Sequence, residues 1–222
     1  MSLQLITLTT QDGVELDGGW YLPPPGAVRR SAAILVVHGL TWNFYRGPAR
    51  WLPPLLSEAG FACLALNMRD HDLAESKDFD HAHHDLRTGI DFLQTSGPGE
   101  VVLLAHGYGC NKVVAYAAQS GDHRPWRQVL TTLGSIKSYR PEIWEQVLEA
   151  AAALRGDTLV VQGAMDPLIE PSRRADELVA AAGLARVEVV LLEGGDHYFN
   201  DRHQALADCV LHWLVSGREE RP

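Results

Sequence analysis

Five short polar clusters, each directly after an apolar run, hold most of the residues able to do chemistry. His38-Gly39-Leu40 follows Ala32–Val37, and Asn67-Met68-Arg69-Asp70-His71-Asp72 follows Ala62–Leu66. His106-Gly107-Tyr108-Gly109-Cys110 follows residues 101–105. Gly163-Ala164-Met165-Asp166-Pro167 follows residues 158–162, and Glu193-Gly194-Gly195-Asp196-His197 follows residues 186–192. Imidazoles and carboxylates are the side chains best placed to move protons near neutral pH. Exposed strand ends are polar in any protein, which accounts for some of these residues but not for their ordered recurrence. A further run, Asp78, Asp80, His81, His83, His84 and Asp85, combines acids and imidazoles. His81 and Asp85 are four apart and would share a helix face, as metal ligands sometimes do. A solvated helix N-terminus, with its acids facing the dipole, is the commoner origin of such a run. No metal site is therefore expected.

These clusters need a scaffold that brings the ends of several strands together. Residues 3–8 and 14–21 read as two strands joined at Asp12-Gly13, a hairpin signal. Ala32–Val37 is apolar throughout, the mark of a strand covered on both faces. Helical patterns at 49–59, 83–94, 110–120, 142–154, 172–182 and 203–216 then alternate with strand-like runs at 62–66, 101–105, 128–133, 158–162 and 186–192. Repeated β–α units require right-handed crossovers and give a mostly parallel sheet with helices on both faces. Chemistry in such sheets sits beyond the carboxyl ends of the strands.

The chain has 222 residues, 46% hydrophobic and 21% charged, which suits one globular domain spanning 1–222. The formal net charge of −9 argues against nucleic acid and anionic membrane as partners. A small molecule is the expected partner. Cys63, Cys110 and Cys209 are odd in number and show no paired spacing, so no disulfide framework is implied. The N-terminus lacks the basic flank and apolar stretch of a secretory leader, and no apolar run reaches membrane-spanning length. A reducing cytoplasm is the expected location. Nothing in the composition speaks to oligomeric state.

Taken together, the clusters resemble the α/β-hydrolase superfamily along nearly the whole chain. His38-Gly39 resembles the start of that family's oxyanion loop, and residues 101–120 resemble its strand–turn–helix nucleophile elbow. Asp166 stands where the family places its acid, and His197 where it places its base. The order elbow, acid, histidine is also the family's. The resemblance implies a twisted, mostly parallel sheet of about eight strands flanked by helices. Residues 134–157 leave room only for a minimal lid, with one helix carrying Trp144, Val147 and Leu148. Tyr139, Trp144, Trp42, Phe44 and Tyr45 are candidates to wall a pocket, and helix packing explains them equally well.

The chain departs from the family at the elbow. The pattern G-x-S-x-G becomes Ala105-His106-Gly107-Tyr108-Gly109. Gly107 replaces the nucleophilic serine, and a glycine has no side chain with which to form an acyl-enzyme. Gly107 also accepts the elbow's backbone more easily than serine. It fits a turn kept for stability after catalysis was lost, or an engineered inactive variant. Cys110 lies three residues past the tip and reads as a packing residue rather than a substitute nucleophile. Ser135 reads as a loop serine. The resemblance implies that the backbone amides of Leu40 and Tyr108 form an oxyanion hole, which survives any change of side chain. His38, Gly39 and His106 would border it. Asp166 orienting His197 makes a general base that needs no serine. The expected activity is therefore hydrolase-like, on a small carbonyl or ester-type substrate and without a cofactor. The alternative is a non-catalytic protein holding a small apolar ligand. Arg69 is expected to pair locally with an acid.

Overall fold

The computed structural model describes residues 1–72, 79–97, 99–119, 126–133, 141–167, 171–183 and 186–216. Two strands, β1 (Ser2–Thr9) and β2 (Glu15–Leu22), form the opening hairpin. Gly13 turns it at φ +85°, a conformation that glycine adopts without strain. Then come β3 (Ala32–Val37), α1 (Pro48–Glu58), β4 (Ala62–Leu66), α2 (Ala82–Ser96), β5 (Glu100–His106) and α3 (Tyr108–Gln119). The chain continues through β6 (Gln128–Thr131), α4 (Pro141–Ala151), β7 (Thr158–Gly163), α5 (Pro171–Ala181), β8 (Val187–Leu192) and α6 (His203–Ser216).

The eight strands make one sheet in the order β1-β2-β4-β3-β5-β6-β7-β8. β2 pairs antiparallel with β1 and β4, and every pairing from β4–β3 to β7–β8 is parallel. This is the α/β-hydrolase fold expected from the motifs. Alternate residues of each central strand feed two cores. Leu35, Leu64, Leu103, Leu130 and Val160 pack with Leu86, Val113, Val147 and Leu178 on the face of α2 to α5. Ile34, Cys63, Val102, Val129 and Leu159 pack with Leu52, Leu56, Val210 and Trp213 under α1 and α6. Truncating any of these leucines to alanine should cost about 2–5 kcal/mol through the cavity it leaves.

Strands and helices start and stop close to the bounds that periodicity suggests, with two informative differences. α3 begins at Tyr108 rather than at 110, because the left-handed Gly107 turns the chain straight into a helix. β6 ends at Thr131 rather than 133, because Thr132 has φ +57° and leaves the strand conformation. In the 134–157 stretch, α4 sends Ile143, Val147 and Ala150 into the core, so no lid covers the strand ends among the described residues. Trp144 is a core residue rather than a pocket wall, and its indole N–H donates to Glu177 Oε2 at 2.6 Å. Ser135, Tyr139 and Asp78 lie outside the described residues. No helix among the described residues is long and apolar enough to cross a membrane.

Candidate active site

The parallel register puts the ends of β3, β5, β6, β7 and β8 along one edge of the sheet. At the end of β5, Gly107 has φ +56°, the left-handed turn of an elbow. Its N–H donates to Thr131 O at 2.9 Å, and its carbonyl accepts from Cys110 N at 3.1 Å. A Cβ built on Gly107 would meet only the Gly39 Cα, at 3.8 Å. The tip thus has room for a side chain that the sequence does not supply. Gly109, by contrast, is a steric requirement: a Cβ there would sit 2.6 Å from His38 O. α3 can pack this close to β3 only without that atom.

The loops after β7 and β8 interlock. Ala164 N donates to Leu192 O and Met165 N to Gly195 O. A Cβ on Gly163 would collide with the backbone carbonyls of Gly195 and Asp196, so the close approach depends on glycine. This contact brings the acid and the imidazole together. His197 Nδ1–H donates to Asp166 Oδ2 at 2.8 Å, and both residues are buried. The proton on Nδ1 makes Nε2 the basic nitrogen of the ring. Thr132 Oγ1 donates to His197 O at 3.1 Å and anchors that loop to β6. Asp196 accepts from the amides of Tyr198 and Asn200 and from Asn200 Nδ2. Burial opposes ionisation of Asp196, but these hydrogen bonds outweigh it and lower its pKa.

The remaining candidates fall into two groups. His106 stands beside His197, ring centroids 5.6 Å apart, with Trp42 at 5.8 Å and Tyr198 at 6.2 Å. Trp42 and Tyr198 stack on each other at 4.7 Å, joining the loop after β3 to the loop after β8. His38 has a different job. Its Nδ1–H donates to Gly39 O at 2.7 Å and its Nε2 accepts from Met68 N at 2.9 Å. Both nitrogens are occupied, so the side chain holds the Gly39-Leu40 loop from behind instead of facing a ligand. Burial, with Lys112 nearby, pushes the His38 pKa down to about 4, which keeps the ring neutral as this bonding requires. The Tyr108 ring also turns inward, 5.8 Å from Phe79, so any contact of Tyr108 with a ligand is through its backbone.

Sequence reasoning missed the supports under this edge. Lys112 and Asp70 form a buried ion pair, and the Lys112 Nζ lies 5.3 Å from the Tyr108 ring. Arg69 pairs with acids as expected, but with two: Asp12 in the hairpin turn and Asp85 on α2. Those bonds raise the Arg69 pKa and depress that of Asp12. Asp85 is thereby used, and among the described residues no three His, Cys, Asp or Glu side chains converge as metal ligands. Cys110 is fully buried, its thiol donates to Thr131 O, and burial pushes its pKa up, so it is a packing group. A separate cavity of about 450 Å³ opens further along α3, lined by Phe79, His83, Lys112, Tyr116 and Gln146.

No protein-family model and no curated protein matches the sequence. Solved structures do match. A lidless α/β serine hydrolase from Xanthomonas campestris is 16% identical over 100% of this chain and 98% of that one, with a TM-score of 0.77. Est1E from Butyrivibrio proteoclasticus, solved with ferulic acid, is 14% identical over 95% and 98%, TM-score 0.78. A dienelactone hydrolase from Anabaena variabilis is 18% identical over 97% of both chains, TM-score 0.76. At these identities the likeness establishes the α/β-hydrolase fold, and chemistry has to be argued from the site.

Proposed function

We propose that the chain is a hydrolase-like enzyme for a small carbonyl or ester-type substrate, with His197 as general base and no nucleophilic serine. The carrying observation is the 2.8 Å hydrogen bond from His197 to Asp166, on a sheet edge where Gly107 makes a left-handed turn. The carboxylate fixes the tautomer and favours the imidazolium that forms when Nε2 takes a proton. A water beside Gly107, or a proton next to the substrate carbonyl, is the natural partner of that nitrogen. The amides of Leu40 and Tyr108 would hold the oxyanion or enolate that results, with Gly39 lining the approach. General-base catalysis of this kind contributes about 10²–10⁴-fold.

The glycine at the nucleophile position supports a second reading, a protein that only binds a small ligand at this edge. Turnover of small p-nitrophenyl esters and lactones by the native chain and Asp166→Asn separates the two. The enzyme reading expects turnover above buffer, reduced by two or more orders of magnitude in Asp166→Asn because the wrong tautomer is held. No turnover by the native chain, together with saturable binding of the same compounds, would establish the binding protein instead.

A further inference from the structure

Left-handed backbone outside glycine gathers at one edge of this fold. Among the described residues it occurs at Thr41, Asp72, Thr132, Phe199 and Asp201. These follow β3, β4, β6 and β8, so all of them lie at the strand ends where Asp166 and His197 meet. Thr132 is the most demanding case. It is β-branched, has φ +57° and is fully buried. Such a side chain in that conformation is a genuine outlier. Strained backbone of this kind persists only where the surroundings over-determine it.

Two hydrogen bonds from Thr132 reach two different elements. Its N–H donates to Val161 O on β7 at 2.9 Å. Its hydroxyl donates to His197 O at 3.1 Å, on the loop after β8, and so skips β7 in between. The preceding residue is tied the other way. Thr131 O accepts from Gly107 N at 2.9 Å. Thr131 Oγ1 donates to Ala105 O at 3.0 Å and so accepts from His106 Nδ1–H at 3.1 Å. Neighbouring Cα atoms are about 3.8 Å apart. The Gly107 turn and the His197 main chain are thus anchored to adjacent residues of β6 and its end. At the ring, Asp166 Oδ2 accepts the Nδ1–H at 2.8 Å. With the carbonyl fixed as well, the imidazole can leave Asp166 only by turning about its own side-chain bonds.

We infer that Thr132 is a positioning residue, whose hydroxyl fixes the His197 main chain so that the imidazole stays on Asp166 and at one distance from the Gly107 turn. The inference rests on the proposed function for its catalytic consequence and on the hydrogen bonds for the rest. Glycine and asparagine take left-handed backbone more readily, yet neither offers a hydroxyl on Cβ. The strained turn is the geometry that reaching His197 O from the end of β6 demands.

Thr132→Val keeps the shape and the strain and removes the hydroxyl, whereas Thr132→Ser keeps the hydroxyl and removes the methyl. Chains labelled with ¹⁵N at histidine are compared by the ¹H–¹⁵N signal of His197 Nδ1–H, assigned through its loss in His197→Ala. The inference expects a downfield proton, slow to exchange with water, in the native chain and in Thr132→Ser. In Thr132→Val it should exchange about tenfold faster, one hydrogen bond's worth of protection. Hydrolysis of p-nitrophenyl acetate should follow, with kcat about tenfold lower in Thr132→Val, KM little changed, and most of the loss recovered by serine. An unaltered Nδ1–H or undiminished kcat in a folded Thr132→Val chain overturns the inference, as does a serine variant that behaves like valine. Should valine not fold, Thr132→Gly is read in its place. It relieves the turn and lacks the hydroxyl, so it should lose the same protection, and retained protection overturns the inference. If the native chain turns over no ester while Nδ1–H responds as expected, the positioning role stands and the enzyme reading fails.

Discussion

On the proposed function, replacing Gly107 with serine should create an acyl-transfer site at modest cost in stability. At φ +56° an L-residue carries about 1–2 kcal/mol of strain that glycine avoids. No collision adds to it, because the new Cβ would meet only the Gly39 Cα at an ordinary 3.8 Å. Loss of glycine's freedom in the unfolded chain returns roughly 0.4–1 kcal/mol. The net cost is therefore about 1 kcal/mol, a melting temperature lower by roughly 2–4 °C in a chain of this size. The gain is a hydroxyl at the Gly107 turn, next in sequence to His106, whose ring lies 5.6 Å from His197, the imidazole that Asp166 holds. Stopped-flow hydrolysis of p-nitrophenyl acetate should show a burst matching the enzyme concentration and a rate at least tenfold above the parent. His197→Ala in the same background should remove both. A folded Gly107→Ser chain with no burst and no gain would mean that the edge does not hold acyl-transfer geometry. A fall in melting temperature well beyond ten degrees, by the same scaling, would mean that the tip lacks the space inferred.

Other consequences follow from the same residues. A serine-directed fluorophosphonate should leave the native chain unmodified and label Gly107→Ser at residue 107, as read by peptide mass; labelling of the native elbow peptide would place a nucleophile elsewhere. Stability should fall in acid, because His38 and His106 are held neutral with pKa values of about 4 and about 3. An unfolded histidine titrates near 6.5, so the fold keeps its full stability above that pH. It loses about 1.4 kcal/mol per pH unit per histidine below it. Between pH 6.5 and 5 the two should remove roughly 3 kcal/mol, measurable as a lower urea midpoint, and a flat midpoint would contradict the neutral, buried assignment. Asp70→Asn should leave the buried Lys112 charge uncompensated and cost about 3–5 kcal/mol, whereas Asp70→Leu with Lys112→Met should recover most of it; thermal melts of both variants decide this.

The apolar runs made the elements legible: Ala32–Val37, Ala62–Leu66 and His203–Ser216 fall where the pattern sets them. The order of strand-end clusters made Asp166 and His197 legible as partners, since only a parallel sheet brings residues 31 apart into one hydrogen bond there. What lies between elements was not legible. His38 looked like a site residue because its type and place fit, and only the positions of Met68 N and Gly39 O show that both its nitrogens are used. The partners of Arg69 come from a hairpin turn and a helix, and no local pattern links Asp12 to Asp85. The end of β6 depended on a positive φ at Thr132, a residue type that gives no signal for it. Trp144 illustrates a general ambiguity: an aromatic on an amphipathic helix reads alike as pocket wall or core, and the packing of α4 decides for core.

The central claim is that His197 acts as a base in a site without a protein nucleophile. Intact-mass measurement during turnover tests it most directly. The native chain and His197→Ala are mixed in parallel with a p-nitrophenyl ester, quenched while product is forming, and weighed. Product should form from the native chain with no acyl adduct on the protein, and only at the buffer rate with His197→Ala. An adduct on the native chain, or undiminished turnover without His197, would contradict it.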